Sequence, residues 1–177
     1  MQFPRRIVVV ALVALSILTA ACGGGGGSSS TDIPGVVVER SADRNHVQGK
    51  VDYAGKHPPS SGNHNPVPLT CGFYDQQPPD EFAVHSLEHG AVWIAFDAEK
   101  LSAADVQTLK NFAKQDHVLV TPYAGMDSPI TLVAWEHRLE VPSASDARIA
   151  QFVKEFANGP QAPERGGACQ GVGQPVP

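Results

Sequence analysis

Five of the chain's seven histidines, His46, His57, His64, His85 and His89, fall within one stretch that closes on His85-Ser86-Leu87-Glu88-His89-Gly90. Imidazole is the commonest protein metal ligand and the side chain that titrates nearest neutral pH, so this concentration points to a binding site. If residues 82–89 form one or two helical turns, His85 and His89 at i and i+4 share a face with Cβ atoms about 6 Å apart, which suits two ligands on one ion. The same five residues read His-x-x-Glu-His, the inverted zinc-peptidase motif, in which the glutamate activates a metal-bound water. That chemistry calls for a long helix around the motif and a third ligand from a distant helix. Gly90 and the apolar run behind it instead stop any helix at the second histidine.

A metal site without hydrolytic turnover draws on more of the cluster. Its candidate ligands are His85, His89 and His64, joined by some of His57, Cys71 and Met126, with Glu88 orienting an imidazole from behind. A thiolate or thioether among imidazoles favours copper, Cu(I) above all, over zinc. Cys71 has a second possible use, a disulfide with Cys169 that would pin the Gly-rich tail to the histidine-bearing loop and contribute on the order of 4 kcal/mol. The two uses exclude each other. A third reading needs no ion: histidines beside glycine and proline act as hydrogen-bonding posts for an irregular loop, and the chain is a non-metal interaction module. His117 and His137 stand outside the stretch and read as surface or edge residues.

These side chains need a scaffold. Between Gly55 and Pro79 the chain carries Pro58, Pro59, Pro66, Pro68 and Pro78 with little periodicity, so the segment cannot be regular structure. A loop this long inside a compact domain is functional or disordered, and rigid prolines lower the entropy of holding side chains in place. Ahead of it, residues 31–45 read as a lead-in strand or linker around Val36-Val37-Val38, and residues 46–53 as an edge strand. Behind it, Ala91–Phe96 reads as a strand covered on both faces. Ser102-Ala103-Ala104-Asp105 fits a capping box opening a helix to about Gln115. Val118-Leu119-Val120 is a second buried strand, placed by a parallel crossover beside the first. After a turn over residues 125–129, Ile130–Trp135 forms a third strand. A last helix from near Ser143 or Ser145 buries Ile149, Phe152, Val153 and Phe156 and stops at Asn158-Gly159-Pro160. The expected fold is α+β, a mixed sheet with two main helices and a C-terminal half in thioredoxin-like element order. Pro129 falls where that fold keeps a proline, but no Cys-x-x-Cys accompanies it, so the likeness carries no redox function.

The compartment follows from the first residues. Arg5-Arg6 precede an apolar run from Ile7 to Leu18, and Thr19-Ala20-Ala21 lead to Cys22: a signal peptide over 1–21, too short in its apolar run to span a bilayer. A cysteine at the mature N-terminus is a lipidation site. The Gly/Ser tract after it is a flexible tether, so residues 22–45 are expected as lipidated cysteine and linker and 46–177 as one α+β domain. The expected partners are the membrane, through acyl chains on Cys22 facing the extracytoplasmic side, and a metal ion; no feature names a protein partner. A net charge of −5 with 13 basic residues scattered singly gives no stripe for phosphate backbones, which excludes nucleic acid.

Four blocks in order, His46-Val47-x-Gly49-x-Val51-x-Tyr53, Pro58-Pro59-Ser60-Ser61-Gly62-x-His64, Cys71-Gly72-x-Tyr74 and Val84 through Ile94, resemble the bacterial domain-of-unknown-function family three-one-zero-five over roughly His46 to His137. Members are typically lipoproteins or single-span proteins facing outward. The family has no established activity, so the resemblance implies one shared site in these blocks and transfers no catalytic residue.

Overall fold

Apolar runs as dense as Ala91–Phe96 have to be covered on both sides, and the architecture follows from that need. The computed structural model describes residues 1–2, 31–41, 43–55 and 57–177; the leader's apolar run, Cys22 and the Gly/Ser tether lie outside the described residues. Residues Thr31–Pro177 form one compact unit. Its elements are β1 (Val37–Val38), β2 (Gly72–Phe73), α1 (Asp80–Glu88), β3 (Val92–Phe96), α2 (Ala103–Lys110) continued by a 3₁₀ turn (Asn111–Lys114), β4 (Val118–Pro122), β5 (Ile130–Ala134), β6 (His137–Val141) and α3 (Arg148–Phe156). The sheet order is β1-β6-β5-β3-β4-β2, with β3 parallel to β4 and antiparallel to β5. The fold is α+β with a mixed sheet. No helix among the described residues is long and apolar enough to cross a membrane.

Strand alternation divides β3 between two cores. Val92, Ile94 and Phe96 join Leu109 of α2 and Ile149, Phe152, Val153 and Phe156 of α3 on one face. Trp93 and Ala95 join Ala83, Val84 and Leu87 of α1 on the other, together with Leu69, Tyr74 and Trp135. One helical layer covers the first face; α1 and the long loop cover the second. At α2 the capping box forms as expected, Ser102 accepting from the Asp105 amide and Asp105 accepting from the Ser102 amide.

Two sequence expectations change and one open choice is decided. Residues 46–53 are not an edge strand; they contribute a single bridge, His46 to His64. Of the two readings of residues 31–45, the lead-in strand forms at Val37–Val38 and pairs with β6. The thioredoxin-like element order is not found, because β6 lies between the third expected strand and the last helix. Trp135-Glu136 makes a hairpin of β5 and β6 without glycine or asparagine, and Glu136 is held at φ 58°. Tertiary bonds hold it there: its amide donates to the Ser60 carbonyl (3.0 Å) and its carbonyl accepts from Glu39 (2.8 Å).

Candidate metal centre

The centre is built on α1. Asp80 and Glu81 occupy its first turn, where acidic side chains complement the helix dipole. At the other end Gly90 takes φ 106°, its amide donates to the Leu87 carbonyl (3.0 Å), and the Ala91 amide reaches the Ser86 carbonyl (2.8 Å). This Schellman closure ends the helix at Glu88 with His89 as its C-cap, one turn beyond His85. His85, Glu88 and His89 therefore share one face.

The long loop lies against that face through backbone bonds. Asn65 and Leu69 donate to the carbonyls of Glu81 and Phe82 (3.1 and 3.0 Å), and Ser86 Oγ donates to the Leu69 carbonyl (2.7 Å). Glu81 accepts from the Val51 amide (2.9 Å), which brings in the segment carrying His46. His46 and His64 sit side by side across their bridge, Val47 donating to the His64 carbonyl (2.8 Å) and His64 to the Asn45 carbonyl (3.1 Å). From the far end of the chain, the Glu164 amide donates to the Glu88 carbonyl (3.0 Å). Gly167 lies so close to the His89 ring that a Cβ there would fall 2.5 Å from its Cγ, so the tail can approach only without a side chain.

Two overlapping groups of side chains that could hold a metal ion result among the described residues: His46, His64, His85 and Glu88, and His85, His89 and Glu164. In each of three rings Nδ1 faces a backbone carbonyl: His64 to Gly62 (2.8 Å), His85 to Asn65 (2.6 Å) and His89 to Ala168 (2.8 Å). A carbonyl only accepts, so each Nδ1 carries the proton, and in the neutral ring each Nε2 is left with a lone pair. Those lone pairs converge. His85 Nε2 is 2.9 Å from His89 Nε2, and His64 Nε2 is 2.8 Å from Glu88 Oε2. Two acceptors cannot face each other at such distances without positive charge between them. Among the described residues Glu88 has no lysine or arginine partner, only His64 and, at 3.7 Å, His46, so this buried carboxylate depends on protons or an ion for its neutralisation.

Burial, with the neighbouring imidazoles of His89, His64 and His46 and against the hydrogen bond to Asn65, pushes the His85 ring down to about 4 from its ordinary 6.5. Ligation needs the neutral ring, which His85 therefore keeps well into acid. The sign for stability follows: between pH 6.5 and 4 the unfolded chain binds a proton here that the metal-free folded protein does not, so stability falls as pH drops through that window and is unaffected above it. Thermal unfolding in EDTA from pH 8 to pH 4 should show a shallower acid decline in His85→Gln than in the parent.

Of the residues expected from sequence, His85, His89 and His64 are brought together, and Glu88 stands with them, its Oε2 2.8 Å from His64 Nε2. Cys71 is not a ligand: it forms the disulfide with Cys169, the alternative use. His57 lies elsewhere, its Nδ1 3.0 Å from the Tyr123 hydroxyl, which in turn donates to Asp80 (2.8 Å). Met126 is a buried member of the apolar cluster beneath α1. His117 and His137 are buried and not at the surface, bonded to the carbonyls of Gly167 and Trp135. Sequence reasoning missed two members. His46 was visible as the first of the five clustered histidines and the start of a conspicuous block; Glu164, in the tail, gave no signal at all.

A family model described as "Protein of unknown function (DUF3105)" matches residues 46–171, a span that takes in every member of both groups. No curated protein and no solved structure matches the chain.

Proposed function

We propose, for a chain that belongs to the DUF3105 family and takes no activity from it, that it binds one divalent transition-metal ion at the two overlapping groups that share His85: His46 with His64, His85 and Glu88, and His85 with His89 and Glu164. The observation that carries this reading is the gathering of the His64 and His89 rings around His85, each of the three oriented by an Nδ1–H bond to a backbone carbonyl that leaves its Nε2 lone pair free. Metal-ligating histidines are held in just this way. Copper remains the favoured metal, but as Cu(II). With Cys71 oxidised, the thiolate argument for Cu(I) is gone, while the Irving–Williams order still ranks Cu(II) above zinc on nitrogen and oxygen ligands.

The ligand role for Glu88, rather than a general-base role in a hydrolase, is supported by its carboxylate lying against His64 inside the protein and not over an open cleft. The anchoring proposal, a lipid on Cys22 at the extracytoplasmic side of the cell membrane, rests on the leader, cysteine and tether in the sequence. A disulfide suits the oxidising compartment that such an address implies.

The test is calorimetric titration of untagged, EDTA-stripped protein with Cu²⁺ and with Zn²⁺, set beside the His85→Ala/His89→Ala double variant. The expected result is about one equivalent bound, copper more tightly than zinc, and an affinity loss of at least about 100-fold in the double variant, since even outer-shell changes cost 10–100-fold. Equal affinity in parent and variant would remove the site.

A further inference from the structure

His85 belongs to both ligand groups, yet it can serve only one ion at a time. Its Nδ1–H is committed to the Asn65 carbonyl at 2.6 Å, which leaves a single lone pair, on Nε2. The groups are therefore alternative positions for one ion and not the halves of a dinuclear centre. They differ in surroundings. In the first, the His64 side chain is 0% exposed and Glu88 4%; in the second, Glu164, 3.4 Å from His89 Nε2, is 53% exposed. Three imidazoles and a carboxylate of which only His46 is exposed hold a cation more strongly than two imidazoles and a carboxylate that water reaches at Glu164. The outer triad, in turn, leaves coordination positions for water or an incoming donor.

We infer, on the metal-binding reading above, that His85, His89 and Glu164 are the port through which the ion enters and leaves the buried position at His46, His64, His85 and Glu88. An incoming ion sheds water to His89, Glu164 and His85. It then moves inward as bonds to His64 and Glu88 form and those to His89 and Glu164 break, while it stays on His85 Nε2 throughout. The transfer is ligand exchange: the oxidation state is unchanged, and protons held between the facing lone pairs leave to solvent. The opposite end of the cluster does not offer the same facility. His46 is 46% exposed, but the other three members of its group are buried, whereas at the Glu164 end His89 is partly exposed beside the exposed carboxylate.

Stopped-flow mixing of the stripped protein with Cu²⁺, read by quenching of tryptophan (the Trp135 ring centroid is 5.9 Å from that of His64), measures loading, and mixing of the loaded protein with excess EDTA measures release. In Glu164→Gln, a surface change that does not threaten folding, both rates should fall about tenfold or more while Kd stays within about threefold, as expected when a rim charge acts on rates. His89→Gln should slow both rates likewise. Glu88→Gln should raise Kd and leave the capture rate intact, and loading should saturate at one ion. Two ions bound per chain would overturn the inference, as would unchanged rates in Glu164→Gln. Slowing by His46→Gln but not by Glu164→Gln would also overturn it by moving the port to the other end. These failures leave the metal site itself standing; that reading falls only if the parent binds no ion or if its inner ligands can be removed without loss of affinity.

Discussion

Glu88→Gln is expected to stabilise the metal-free protein at pH 8 and, in the same molecule, to remove the stabilisation that metal gives. In the stripped parent, Glu88 Oε2 and His64 Nε2 lie 2.8 Å apart inside the protein, a contact that only a buried proton can hold when no ion is bound. A glutamine amide placed there donates a hydrogen bond to Nε2, which contributes about 1 kcal/mol and removes a buried charge. With saturating Zn²⁺ the order reverses. An ion present at 1,000 times its Kd stabilises the parent by about 4 kcal/mol, which for a domain of this size raises Tm by roughly 10 °C. The variant, lacking an anionic ligand, should keep only a small part of that rise. Thermal unfolding of both proteins in EDTA and in Zn²⁺ gives the four midpoints. If the stripped variant is instead less stable by several kcal/mol, Glu88 and a protonated His64 form a buried ion pair, whose breaking costs about that much, and the cluster is structural.

Removing the disulfide is expected to affect stability strongly and affinity little. Cys71 and Cys169 are separated by 98 residues, and opening a loop of that length costs on the order of 4 kcal/mol in the chain-entropy model, enough to lower Tm by roughly 10 °C. The bond also fixes the tail against the sheet edge, where the Cys71 amide donates to the Cys169 carbonyl (3.0 Å) next to the Ala168 carbonyl that orients His89. The buried ligands are held without it: His85 and Glu88 by α1, His64 and His46 by the loop and its bridge. Cys71→Ser/Cys169→Ser should therefore unfold at a much lower temperature, while its Kd for Zn²⁺, measured well below the transition, stays within about tenfold of the parent. A Kd that collapses with the disulfide would make the tail part of the tight site.

What the sequence made legible, and what it concealed, follows the range of the interactions involved. The α2 cap is local, Ser102 with Asp105, and it forms as read. The four apolar positions of α3 repeat at helical spacing, and all four are buried. The β5–β6 hairpin escaped notice because a turn of Trp135-Glu136 carries no glycine or asparagine; Glu136 stays in the left-handed region through bonds to Ser60 and Glu39, far from it in the chain. The same division runs through the site. His85 and His89 are one turn apart, and Gly90 announces where that turn ends, so their shared face was readable from five residues.

By itself the sequence determined the density of imidazole, the i, i+4 pair and its helix stop, and a cysteine pair with two exclusive uses, since all of these depend on residue type and near-neighbour spacing. Which cysteine use prevailed was a tertiary decision, settled when the tail came to lie beside the histidine loop. The separation of His57, the recruitment of His46 and Glu164 and the turning of Glu88 toward His64 were decided the same way. Ligand geometry depends on where backbone carbonyls such as those of Gly62, Asn65 and Ala168 come to rest, and a carbonyl's position is set by packing, not by the residue that bears it.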